Sequence, residues 1–323
     1  MKQFNPKEIT TQQVFSLLTG AIHPRPIALV ATISENGNPN LAPFSFFNAF
    51  GANPPMIGFS PSCRVRDGSR KDTYYNLKRT KECTVQVVTF DMVEQVNLAS
   101  TEYETGVDEF VKSGLTPVQS DLIAPPRVRE SPVQMECRLD QIVHLGDGKG
   151  SGNLMLCEVL RFHVDESMLE GDVFNPYELD LVGRNGSNYY TRANENSLFE
   201  VKKPLLTKGI GYDQLPEHMK LSSVFTGNDL ARFGNSEEIP SSLEAKELAR
   251  QVVSTELLDE NLDLFRSFGR AKQQKHFPKM LAIGLRLKIE NHPQATRKIQ
   301  ESAQIALQQG NRDFAWKAAL LVE

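Results

Sequence analysis

The sequence predicts a mainly β protein, a closed Greek-key barrel with peripheral helices, followed by a small α-helical C-terminal region. Three observations carry this prediction. β-Branched and aromatic runs of strand length recur through the first two-thirds of the 323 residues. Turn residues are concentrated there too: of 18 prolines only Pro278 and Pro293 lie beyond Pro240, and of 21 glycines only Gly269, Gly284 and Gly310 do. Beyond Pro240 the apolar residues recur at helical spacings instead. The expected domains are therefore 1–240 and 241–323, with net charges of -7 and +3.

The chain opens with a predicted helix, Lys7 to Leu18. Ile27 to Ile33 is a dense apolar strand, ended by the turn-forming Glu35-Asn36-Gly37-Asn38. Asn40 to Phe47, Met56 to Phe59 and Cys83 to Val88 read as further strands, and Asp91 to Ser100 as a helix with Met92, Val93 and Val96 inward. Met135 to Leu145 and Leu154 to Val164 are strand-like, and the glycine-rich stretch 146–152 between them predicts a hairpin. Many strands with few intervening helices favour an antiparallel barrel over a parallel sheet. In the second region Ser241 and Glu244 have capping-box spacing, and Leu248, Val252 and Leu262 follow at helical intervals. Further helices are expected from Lys279 to Glu290, from Pro293 toward Gly310, and from an Asn311 cap to Leu321. Trp316 and Phe314 are the expected anchors of that bundle.

Hydrophobic residues make up 40% of the chain and charged residues 24%, as in globular proteins, and the net charge of -4 offers no basic field for nucleic acid or anionic lipid. No apolar run has membrane-spanning length, and Met1 to Thr10 lacks a secretory pattern, so a cytoplasmic location is expected. Cys63, Cys83, Cys137 and Cys157 are widely spaced and read as reduced core thiols. The six histidines are scattered, so no metal site is expected. There is no P-loop, no H-E-x-x-H and no G-x-S-x-G elbow, and no nucleophile with its own base can be picked out.

Three loops remain that suit a phosphate and an aromatic ring. The first is Pro43 to Phe50, with small polar residues between phenylalanines, closed by Asn53-Pro54-Pro55. The second is Ser60-Pro61-Ser62-Cys63-Arg64, rich in hydroxyl donors. The third is Arg70 to Leu77, where Lys71 supplies charge and Asp72 or Thr73 is placed to cap a helix whose amino end attracts an anion. Taken alone, the first reads as a buried strand with core phenylalanines, and the third as a plain cap beside a surface lysine. Together they indicate a phosphorylated aromatic ligand without naming it.

The ordered set of motifs is more specific. Pro24-Arg25-Pro26-Ile27-Ala28-Leu29-Val30, then Asn36 to Ser45, then Asn53-Pro54-Pro55, then Lys71-Asp72-Thr73 with Asn76-Leu77, resembles the flavin reductase-like family of FMN-binding split barrels, which includes flavoredoxins. Gly150 to Leu154 with Cys157-Glu158-Val159, and Gly183-Arg184-Asn185-Gly186, extend the resemblance, which covers residues 10–205.

The resemblance implies a six-stranded barrel, a homodimer and FMN bound near the subunit interface. On it, Ser45, Phe46, Phe47, Asn48 and Ala49 line the isoalloxazine edge. Ser60, Ser62, Arg64, Lys71, Asp72 and Thr73 hold the phosphate and ribityl chain, with Arg184 as a further contact and Tyr103 as a cover. The implied reaction is hydride transfer from NAD(P)H to the flavin, feeding a flavin-dependent monooxygenase or another redox protein. Catalytic side chains are not required, because the flavin carries the chemistry. One departure stands out: where many relatives have a histidine in the hairpin, this chain has Gly148. That favours an alternative, a flavoredoxin-like electron carrier with a protein partner. A pyridoxamine-phosphate oxidase is a third reading, opposed by Lys71-Asp72-Thr73.

Overall fold

The computed structural model describes residues 1–201, 208–256, 258 and 263–322. It falls into two compact units, Met1–Glu200 and Val201–Glu323.

In the first unit, helix α1 (Thr11–Ala21) begins four residues later than expected, because Thr10 and Gln13 form the capping box that starts it. Seven strands follow: β1 (Ala28–Ile33), β2 (Pro39–Phe44), β3 (Phe47–Ala52), β4 (Pro55–Phe59), β5 (Glu82–Gln86) and, after two-residue ladders β6 (Pro117–Val118) and β7 (Arg127–Val128), the long β8 (Val133–Leu145) and β9 (Gly152–Val164). The main sheet has the order β2-β1-β5-β8-β9-β4-β3, antiparallel throughout.

Strand β1 explains its own composition. Ala28 and Val30 enter a core with Phe59, Val85, Cys137 and Met155, while Ile27, Leu29 and Ala31 enter a second core with Met92, Val96 and Phe110. A strand buried on both faces has no reason to alternate. The second core is the seat of helices α3 (Val93–Ala99) and α4 (Glu109–Ser113), and α2 (Asp72–Thr80) packs Tyr74 and Leu77 into the first. All four cysteines are buried.

Ser45 and Phe46 alone join β2 to β3, yet these strands lie at opposite ends of the sheet. Laid flat, the six steps between them would separate their ends by about 29 Å at about 4.8 Å per step. Two linking residues reach about 11 Å. The sheet is therefore rolled until its ends approach at that link, although β2 and β3 share no ladder of their own. The single strand expected over Asn40 to Phe47 is thus broken at Ser45. Asn48 and Ala49, expected in a loop, sit on β3, because Asn53 to Pro55 folds β3 back onto β4 as a hairpin.

The unit ends with short ladders β10 (Leu169–Glu170) with β11 (Val173–Phe174), and β12 (Leu181–Arg184) with β13 (Tyr190–Ala193). Residues Arg25 and Arg184 bridge through N···O bonds of 3.0 and 2.8 Å, which ties the β12 end to the residues preceding β1.

The second unit is helical: α5 (Glu217–Lys220), α6 (Gly227–Gly234), α7 (Ser242–Thr255), α8 (Leu264–Gln273), α9 (Phe277–Ile289), α10 (Ala295–Gln308) and α11 (Arg312–Leu320). Ser241 and Glu244 cap α7 as expected, and Asn311 caps α11; Leu262 lies outside the described residues. Pro293 precedes α10 by two residues rather than opening it, because the chain turns through His292 to Ala295 first. Trp316 anchors the core edge-on to Phe233, and its indole N–H donates to Ser236 Oγ at 2.8 Å. These contacts draw residues ahead of Pro240 into the helical unit. The structural division falls at Glu200, forty residues before the composition changes. No helix among the described residues is long and apolar enough to cross a membrane.

Candidate functional site

Two depressions on the barrel flank share Pro43 and Ser100 and so form one groove. One end, about 170 Å³, is bordered by Ser45, Asn97, Arg184 and Tyr190. The other, about 40 Å³, is bordered by Asn40, Arg64, Lys71, Asp72, Thr73 and Tyr103.

The Lys71 end has the chemistry of an anion site. Its Nζ lies 5.3 Å from the centre of the Phe44 ring, and among the described residues it has no hydrogen-bond or ion-pair partner. Burial pulls its pKa below the ordinary lysine value; Glu102 opposes the shift and Arg64 adds to it. Lys71 is also the N-cap of α2 and makes no side-chain bond to the first turn. The Asp72 and Thr73 amides therefore remain at the positive pole of the helix without an intrahelical acceptor. Asp72 or Thr73 was the expected cap; the helix instead starts at Asp72, with Lys71 as its N-cap. Thr73 is 1% exposed and its Oγ1 accepts from Asn40 Nδ2 at 3.1 Å, while the Asp72 carboxylate accepts from Thr105 at 3.3 Å. Arg64 donates to Ser69 Oγ and the Arg70 carbonyl and lies 3.4 Å from Glu102. Tyr103 borders this end, with Lys112 Nζ 5.6 Å from its ring centre.

At the other end, Ser45 Oγ accepts from Arg25 Nε at 3.3 Å. The Arg25 guanidinium is buried and otherwise donates to the Thr19, Ile22 and Asn185 carbonyls. Arg184 lies over Tyr190, 4.6 Å from the ring centre.

The remaining expected contacts are elsewhere. Phe46, Phe47, Asn48, Ser60 and Ser62 line a separate cleft of about 370 Å³ with Phe50, and it shares no lining residue with the groove. Phe15 of α1 packs edge-on to Phe46, and Phe50 is 60% exposed. Ser60 Oγ is engaged by the Asn153 amide at 3.1 Å. Ala49 borders neither depression; it is exposed on β3. One chain thus brings together Ser45, Arg64, Lys71, Asp72, Thr73 and Arg184, and places the others apart.

Sequence reasoning missed Asn40 and Glu109. Glu109 accepts from the Leu41 amide at 3.0 Å, and burial raises its pKa against the pull of that bond. Only their three-dimensional neighbours reveal them. His144 is a strand residue, as expected, and its Nε2 lies 3.0 Å from the Tyr74 hydroxyl. His163 pairs with the wholly buried Glu136 at 2.7 Å, and with Asp121 the three bring ligand atoms within 4.8 Å of one another. The Glu136 oxygens are already engaged by the Asp121 and Leu122 amides, so this cluster serves the fold.

Residues 20–186 match the family described as flavin reductase like domain. An uncharacterised protein of Aquifex aeolicus is 36% identical over 192 residues, covering 59% of this chain and 95% of that one. Among solved structures, nitrilotriacetate monooxygenase component B from Bacillus cereus is 33% identical with a TM-score of 0.59, over 62% of this chain and 98% of its own. A flavin reductase with a split barrel domain from Shewanella frigidimarina has the same fold at a TM-score of 0.54 and 23% identity, over 63% of this chain and all of its own.

Proposed function

This chain belongs to the flavin reductase-like domain family, and from that premise we propose that it binds FMN in the groove and is an NAD(P)H-dependent flavin oxidoreductase. The observation that carries the binding step is Lys71, a half-buried ammonium without a counter-ion beside the uncapped start of α2. That donor set fits a phosphate dianion, which would supply the missing charge and accept the free amides. Lys71, Thr73 and Arg64 would hold the phosphate, and the Ser45 end would receive the ring system. FMN, when bound, supplies the hydride-accepting centre. The protein's part is to orient the two reactants and exclude water.

The split between groove and cleft supports a homodimer. Phe15, Phe46 and Phe50 form an apolar surface flanking the cleft, and such a surface is suited to a second copy. The cleft of one copy would then complete the groove of the other. The likeness to a monooxygenase component B favours a separate monooxygenase as consumer of the reduced flavin.

A second reading, an electron carrier that does not use nicotinamide, is favoured by one observation. The hairpin carries Gly148, and the nearby His144 is committed to Tyr74. Anaerobic addition of NADH or NADPH to the FMN-loaded protein separates the two readings. Rapid bleaching of the flavin band is the outcome expected for the reductase. A flavin that stays oxidised with both nucleotides overturns it in favour of the carrier. Failure to bind FMN at all would overturn both.

A further inference from the structure

A second cavity of about 480 Å³ adjoins the groove and shares Asn97, Arg184 and Tyr190 with it. We propose that it binds a phosphate of the nucleotide electron donor through Arg184; this rests on the reductase reading above.

Its volume is that of a small-molecule site. Two planar cations stacked on aromatic rings border it: Arg184 on Tyr190, and Arg192 on Phe90 at 3.8 Å from the ring centre. Their charges differ in availability. Arg192 is held bidentately by Asp180 at 2.7 and 2.6 Å, whereas Arg184 has no ion-pair or hydrogen-bond partner for its side chain among the described residues. Behind it stands Arg25, a buried guanidinium that donates only to carbonyls and a hydroxyl, and Glu94, which also lines the cavity, makes no ion pair with either arginine among the described residues. The backbone beneath Arg184 is fixed by the two bonds to Arg25, and at Gly183 a Cβ would come within 2.6 Å of Pro24. A guanidinium without an ion-pair partner, carried on a fixed stretch of backbone and lining a cavity, is suited to bidentate contact with a phosphate. The flavin's own phosphate does not account for it. FMN carries one phosphate, and the Lys71 end of the groove already provides for that. The phosphate left for Arg184 belongs to a different molecule, and the shared residues place that molecule next to the flavin ring's end of the groove.

Two phosphate-bearing positions of a nicotinamide dinucleotide have this chemistry, the pyrophosphate bridge and the 2′-phosphate of NADPH. The test measures dissociation constants of NAD⁺ and NADP⁺ for the FMN-loaded protein by calorimetry, in the wild type, Arg184→Gln and Arg184→Lys. Expected is a weakening of about 10- to 100-fold in Arg184→Gln, with partial recovery in Arg184→Lys and a steep salt dependence in the wild type. Loss for NADP⁺ alone assigns Arg184 to the 2′-phosphate, and equal loss for both assigns it to the pyrophosphate. Unchanged affinity for both nucleotides overturns the proposal. So does a loss of FMN affinity larger than the loss of nucleotide affinity, since Arg184 would then belong to the flavin. If NAD⁺ or NADP⁺ binds through Arg184 while NADH and NADPH leave the flavin oxidised, the nucleotide site stands and the reductase reading falls.

Discussion

An ammonium pressed against a phenyl ring without a counter-ion weakens the empty fold, because burial disfavours its charge. Lys71 is in that position, and its lowered pKa has two consequences of opposite sign. The unfolded chain binds the proton more tightly, so stability of the FMN-free protein rises with pH between the folded and unfolded lysine pKa values. FMN affinity falls as pH rises through the same lowered folded-state pKa, because the phosphate loses its partner. Fluorescence titration across alkaline pH should show that fall, and Lys71→Arg should abolish it, since guanidinium stays charged. Lys71→Met should weaken FMN binding about 10- to 100-fold, the worth of one charge-assisted hydrogen bond. Equal affinity in Lys71→Met would remove Lys71 from the phosphate site. The sequence showed Lys71 and Thr73 as candidates because their order is a motif. It could not show that Arg64 turns to Glu102 and leaves Lys71 unpaired, since that choice depends on α3 and its following loop.

Strands and helices were legible wherever the local pattern decides them. The apolar run at β1 has one stable environment, burial on both faces, and the Ser241–Glu244 box starts α7 whatever surrounds it. Strand β3 was not legible. Its sequence, FNAFGA, has one edge exposed in this chain, and only the return through Asn53 to Pro55 pairs it with β4. Close approach is similarly hidden, because a glycine in a helix looks like a weakness. At Gly284 of α9 the helix α10 comes close: a Cβ there would lie 2.9 Å from Ile299 Cγ1 and 3.1 Å from its amide nitrogen. Gly284→Ala should therefore destabilise the helical unit by about 1–3 kcal/mol, despite the better helix propensity of alanine. Urea unfolding followed by Trp316 fluorescence checks this, and a gain in stability would show that α10 yields freely.

At the scale of the chain, each unit encloses its own apolar clusters, two in residues 27–182 and two in residues 215–319. Calorimetry should accordingly resolve two unfolding transitions, and Gly284→Ala should move only one of them. A fragment of residues 1–200 should keep the barrel transition and its FMN affinity. Loss of the barrel transition in that fragment would mean that the helical unit is needed for the barrel to fold. The structural division falls ahead of the composition change because Gly209, Gly211 and Pro216 lie in the chain leading to α5 and Pro240 lies between α6 and α7, and such residues occur between helices as readily as between strands.

The two-residue link between β2 and β3 also joins the groove to the cleft. Ser45 borders the groove and Phe46 the cleft, on adjacent residues. One peptide plane thus links the two: a second copy seated on Phe46, as proposed, would act one residue away from Ser45 and its Arg25 contact. On the proposed homodimer, assembly and the shape of the ligand groove would be geared together through this link.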